Sequence, residues 1–270
     1  MKFIASVSAV VATCALSAST VAAAGAKGEP WGYKYNDSTM ASPDMWAEYY
    51  PGCGGDSQSP IDIVVADVEQ GTKVQSSLRF RGECEGFNLT QGEDFKAAVI
   101  GGDCAVKAKS GVYDLAQFHV HVPSEHTLDG EPLDGEVHFV HSNKDGSKLL
   151  VVGIFMEIDP EGDTDPWLET VIDGIDDVTP DSPTLIDLTS YSAVVKKSVR
   201  AGSLFNYPGG LTTPGCDEIV DWWVVQKPIK VSAKDHSRIQ NNQGEFINTD
   251  DGENARPVQP LNKRTVVQFK

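Results

Sequence analysis

Short β-prone runs recur along most of this chain, and the clearest of them alternates apolar and polar residues with a period of two. In 117–122, Phe118, Val120 and Val122 interleave with Gln117, His119 and His121, the pattern of a half-buried strand. Comparable β-prone runs lie at 61–65, 77–80, 87–90, 97–100, 105–108, 137–141, 149–158, 193–199 and 219–225, with Gly, Asp, Asn and Pro between them. Many short strands joined by turn residues predict a mainly β, mainly antiparallel fold rather than a βαβ repeat. Helical signals are few. The best are 166–175, with Asp165 as N-cap before Pro166, and 232–240, with Ser232 as the cap.

The ends and the composition narrow this picture. A positively charged start at Met1-Lys2-Phe3, an apolar stretch over 4–16 and the small residues Ala22-Ala23-Ala24 read as a secretory signal peptide over 1–24, cleaved after Ala24. No later stretch is apolar and long enough to span a bilayer, so a secreted chain without a membrane anchor is expected. No linker, repeat or charge block divides 25–270, which reads as one domain. The net charge of -17 makes nucleic acid or an anionic membrane an unsuitable partner. Setting Cys14 aside with the signal leaves Cys53, Cys84, Cys104 and Cys216, an even number that in an oxidising compartment predicts two disulfides. Spacing leaves all three connectivities open. Sequons at Asn36-Asp37-Ser38 and Asn88-Leu89-Thr90 add a glycoprotein reading.

Of the six histidines, five fall between positions 119 and 141, a clustering that points to a metal. His119 and His121, two apart on a strand, share a face. His138, on the next β-prone run, would bring a third imidazole to the same point. Three neutral nitrogen ligands with one position left for water are the pattern of a catalytic zinc site, not a closed structural one. A fourth imidazole would close that position, so His126 and His141 read as structural; His236 stands among polar residues and is expected to be exposed.

Five further segments flank this cluster in chain order: Trp31-Gly32-Tyr33, Gln58-Ser59-Pro60-Ile61-Asp62-Ile63, Pro123-Ser124-Glu125-His126-Thr127, Leu211-Thr212-Thr213-Pro214 and Arg256-Pro257-Val258-Gln259-Pro260-Leu261. Together with His119-x-His121 and Glu136-x-His138 they closely resemble the α-class carbonic anhydrases. The short 121–138 connection is most similar to secreted bacterial and plant members. The resemblance implies a large, twisted, mostly antiparallel central sheet with a few short peripheral helices, and zinc-dependent reversible hydration of CO2 to bicarbonate, with sulfonamides and anions as inhibitors.

The same resemblance implies roles for individual residues. His119, His121 and His138 would hold Zn2+, with Gln117 accepting from His119, Glu136 from His138 and a backbone carbonyl from His121. Thr212 would donate its hydroxyl proton to Glu125 and so be left to accept one from the nucleophile, an assignment that a hydroxyl's single donor makes directional. Val140, Val151, Leu211 and Trp222 would form the apolar wall for CO2, and Thr213 a secondary contact to bicarbonate. Cys53 would pair with Cys216, leaving Cys84 and Cys104 for each other. Where fast members carry a proton-relaying histidine, ahead of Phe87-Asn88, this chain has Glu85. A carboxylate is a poor relay at neutral pH, which implies turnover limited by proton release. The Asn88 sequon matches a position facing the cavity, so Asn36 is the expected acceptor.

Two rival readings have distinct signatures. A cupin-type oxygenase would use Glu125 as a fourth ligand to iron or manganese and would leave 58–63 and 211–214 without a role. A carbonic-anhydrase-like binding protein without activity would be expected to have lost ligand histidines, and this chain keeps all three.

Overall fold

In a computed structural model, residues 29–72, 78–188 and 191–270 are described. The expected signal peptide and its cleavage point after Ala24 lie outside them. The β-prone runs become strands β1 (Cys84–Gln91), β2 (Phe95–Gly102), β3 (Gly111–His121), β4 (Gly135–Ser142), β5 (Leu149–Asp159) and β7 (Val220–Ser232), and a strand that no predicted run covers, β6 (Leu204–Gly209), precedes β7. They lie in one 12-stranded sheet that runs from Thr184–Ile186 through β1, β2, β3, β4, β5, β7 and β6 to Val267–Phe269 and Glu69–Gln70. Arg79–Arg81 and Ala105–Ala108 pair off this path beside β3. Within this sheet two pairings are parallel, β5 with β7 and Val267–Phe269 with Glu69–Gln70, and the others are antiparallel. The path is open at both ends, not the closed barrel that a cupin requires.

Period-two alternation gives the sheet two different faces. On β4, Val137 and Phe139 enter a large core with Phe118, Val120, Val152, Ile154 and Trp223, while Glu136, His138 and Val140 point the other way. The large core is covered by α1 (Pro166–Asp177), α2 (Tyr191–Ala201) and α3 (Ala233–Gln243). Leu168, Val171, Ile172 and Ile175 recur at helical spacing on α1 and are all buried. Asp165 caps that helix by accepting the Trp167 N–H at 3.1 Å, and Ser232 caps α3 by accepting the Asp235 N–H at 3.1 Å. Both starts agree with the sequence reading.

The run at 193–199 is a correction, because it is helix, not strand. Its β-branched residues favour a strand locally, yet Val194, Val195 and Ser198 are buried at i, i+1 and i+4 while Ala193 and Lys197 are exposed. Packing of that stripe against the sheet outweighs the local preference. Both expected disulfide pairs are present, Cys53–Cys216 and Cys84–Cys104.

Candidate metal centre

Strand register builds the site. His138 on β4 lies directly opposite His119 on β3, and Glu136 lies opposite His121. Directly opposed residues project to the same side of a sheet, so the three imidazoles meet. Their ring centroids are 5.0 Å apart for His119 and His121, 5.3 Å for His119 and His138, and 4.6 Å for His121 and His138. The nitrogens that could ligate an ion lie within 4.8 Å of one another.

A protein oxygen lies close to one nitrogen of each ring. His119 Nδ1 is 2.9 Å from Gln117 Oε1, and His121 Nδ1 is 2.8 Å from the Asn254 carbonyl. His138 Nε2 is 3.1 Å from Glu136 Oε1, within bonding distance but out of line, so it keeps no formal partner. The other nitrogen of His121, Nε2, is buried and also has no hydrogen-bond partner. Leaving a buried polar atom unsatisfied costs about 1–3 kcal/mol, so this arrangement fits a cation-binding site better than a closed hydrogen-bond network. Burial is the largest cause holding His119 well below the usual imidazole range, and His121 and His138 below it. The rings are therefore neutral near neutral pH, the form that binds a metal.

Two carboxylates beside the rings have different environments. Glu136 Oε1 is 2.8 Å from His126 Nδ1, and Oε2 accepts the N–H groups of Glu125 and His126 at 3.1 and 2.9 Å. Burial pushes this carboxyl up, but His126 and His138 hold it well below the usual range. His126 Nε2 in turn is 2.6 Å from the Tyr207 hydroxyl, which is 2.9 Å from Ser59 Oγ. Glu125 accepts the Arg256 N–H on Oε1 at 3.0 Å, and Oε2 lies 3.4 Å from His121 Nε2 and 3.8 Å from His138 Nδ1. Burial is the main cause that pushes its carboxyl up to about 7, opposed by His138, the Arg256 amide and the Thr212 hydroxyl.

An apolar wall adjoins the rings. Val140, Val151 and Trp222 are successive partners across β4, β5 and β7, and Leu211 packs on the same cluster. The Trp222 ring is 4.9 Å from that of His138, and its N–H donates to the Gly210 carbonyl at 3.0 Å. The loop carrying Leu211, Thr212 and Thr213 is fixed by the Cys53–Cys216 bond, by Gln58 Nε2 donating to the Cys216 carbonyl at 3.2 Å and by the Gly210 N–H on Ser59 Oγ at 3.2 Å. Thr212 is buried and Thr213 partly so.

Other expected residues fall elsewhere. Glu85 is exposed, its carboxylate beside Gly101, in a depression lined by Glu83, Cys84, Gly102 and Asp103 and by none of the site residues. His141 is buried, with Nδ1 3.0 Å from the Leu150 carbonyl, and burial pushes it down to about 4. His236 is half-buried, not exposed, because its Nε2 bonds the Asp134 carbonyl at 2.9 Å. Sequence reasoning missed three supporting residues: Asn254, Arg256 and Gly153. Arg256 stood within a noted motif, but nothing in that motif shows that its backbone N–H meets Glu125.

Comparison with known proteins matches this arrangement. Residues 41–270 match the sequence profile described as eukaryotic-type carbonic anhydrase. Alpha carbonic anhydrase 7 of Arabidopsis thaliana is 31% identical over 248 residues, covering 88% of this chain and 84% of the relative. The α-carbonic anhydrase of Thermovibrio ammonificans, solved in complex with sulfanilamide, superposes with a TM-score of 0.73 at 30% identity, covering 89% of this chain and 99% of that one. Dioscorin, solved with ascorbate, gives a TM-score of 0.74 at 25% identity over 89% of this chain and 98% of its own.

Proposed function

The chain belongs to the eukaryotic-type carbonic anhydrase family, and on that premise we propose that it is a zinc enzyme that reversibly hydrates CO2 to bicarbonate and a proton. The observation that carries the reading is the triad of neutral imidazoles, His121 and His138 buried and His119 half-buried, each ring with one nitrogen left over from its protein acceptor. Zinc bound there would supply a Lewis acid that makes water nucleophilic near neutral pH, a general rule for which carbonic anhydrase is itself the usual illustration.

The chain's own residues do the rest. Gln117, Glu136 and the Asn254 carbonyl fix ring orientation and tautomer. In its ionised form Glu125 accepts a hydrogen bond from the Thr212 hydroxyl, so the Thr212 oxygen is left to accept one from the attacking water or hydroxide and aims its lone pair. Val140, Val151, Leu211 and Trp222 offer CO2, which has no charge to hold, a dry surface beside the rings. Thr213, next to Thr212, would contact bicarbonate. Sulfonamide binding is supported by the sulfanilamide complex of the Thermovibrio protein. Export after removal of 1–24 is part of the same proposal, supported by two disulfides. Among the described residues no helix is long and apolar enough to cross a membrane.

The test is metal analysis joined to stopped-flow CO2 hydration with and without sulfanilamide. One zinc per chain and sulfanilamide-sensitive hydration are expected; metal-free or inert protein would overturn the proposal.

A further inference from the structure

Two of the three histidines, His119 and His138, sit in a cross-strand row with Thr90, Lys96 and Gly153. Thr90 on β1 pairs with Lys96 on β2, Lys96 pairs with His119 on β3, His119 pairs with His138 on β4, and His138 pairs with Gly153 on β5. Lys96 therefore projects on the site face, immediately beside a candidate ligand. Its side chain is 46% exposed, so the ammonium lies at the solvent margin of the site. Asp94, in the bend just before β2, holds it by an ion pair of 3.3 Å. The Lys96 charge acts on His119, and the Asp94 charge acts on His121 and Tyr33. Lys96 thus stands beside His119 across the β2–β3 seam, with the Asp94 charge close enough to act on His121.

We propose that Lys96 is a specificity-determining residue that draws monovalent anions, bicarbonate among them, to the site, with Asp94 as the counter-charge that limits its pull. This rests on the proposed function, because the anion is the product and competitor of that reaction. An exposed ion pair is weak, typically under about 1 kcal/mol, so Asp94 tethers Lys96 without committing its charge. Over less than about 10 Å at ordinary ionic strength that charge is only partly screened from an anion at the rings. It stands out in a chain of net charge -17, which otherwise repels anions.

Opposite shifts in two variants test the proposal. Thiocyanate is titrated calorimetrically into zinc-loaded wild type, Lys96→Gln, Lys96→Arg and Asp94→Asn at one fixed ionic strength. Lys96→Gln is expected to raise Kd about threefold to sixfold, Asp94→Asn to lower it about twofold, and Lys96→Arg to leave it near wild type. A merely structural pair would shift both disruptive variants in the same direction, which would overturn the proposal, as would a Kd for Lys96→Gln equal to wild type. If wild type takes up zinc and thiocyanate but the variants do not diverge, only this inference falls. If wild type takes up no zinc, the functional reading falls with it.

Discussion

Thr212 and His141 depend on burial for opposite reasons. Thr212 matters through one hydroxyl, so Thr212→Val, which keeps the volume, is expected to retain zinc and lose about 10²-fold in kcat/KM, the usual effect of removing one positioned hydrogen-bonding group. Unchanged stopped-flow rates would remove Thr212 from the chemistry. His141 matters because it stays neutral. Burial pushes its folded pKa down to about 4, while an unfolded histidine binds a proton near 6.5. Between those values the unfolded chain holds more protons, so this contribution to stability is complete above about 6.5 and is lost as pH drops towards 4, by up to about 1.4 kcal/mol per pH unit. Urea unfolding at several pH values should show this slope reduced in His141→Gln; an identical slope would refute it. The sequence already made the ligand histidines legible, because three imidazoles at strand spacing have few other uses. The acceptor for His121 was not legible, since Asn254 O is a backbone atom 133 residues away.

Element geometry explains why a glycine lies in the middle of β5. Gly153 stands opposite His138, and a Cβ there would come within 2.4 Å of Glu136 Oε1 and 3.7 Å of His138 Cδ2. Glu136 cannot withdraw without breaking its bonds to His126 and to the 125–126 backbone. Gly153→Ala is therefore expected to keep the fold and to weaken zinc affinity about 10- to 100-fold, measured by competition with a chelator. Native affinity in a folded variant would show that Glu136 does not orient His138. The run 117–122 was legible from its alternation, and 149–158 from a continuous apolar stretch that the sheet buries on both faces. The 193–199 segment was not, because its β-branched residues satisfy either period until the sheet beneath it is known. β6 was missed for a related reason: in Leu204–Gly209, Asn206 and Pro208 interrupt the apolar pattern at positions that neighbouring strands complete.

At the scale of the whole molecule, two features set behaviour. Glu85, which the resemblance puts at the relay position, is exposed in a depression lined by Glu83, Cys84, Gly102 and Asp103 and by none of the candidate site residues, so no proton relay is expected through it. CO2 hydration is expected to rise with the concentration of an imidazole-type buffer until that buffer takes over proton removal; indifference to buffer would overturn this. The second feature is the Cys53–Cys216 bond, which spans 163 residues and ties the Thr212 loop to the N-terminal part of the chain. Replacing both cysteines by alanine is expected to cost about 2–4 kcal/mol in denaturant unfolding and to lower kcat more than zinc content. Equal stability with and without the bond would contradict it.

The Asn254–Arg256 segment has a bearing on biosynthesis. Asn254 aims His121, and the Arg256 amide holds Glu125, yet both lie within the last seventeen positions of the chain. A nascent polypeptide that has already emerged past His138 carries all three imidazoles but not the groups that orient them. A product truncated before Asn254 would therefore keep the three imidazoles and lose the carbonyl that orients His121 and the amide that holds Glu125.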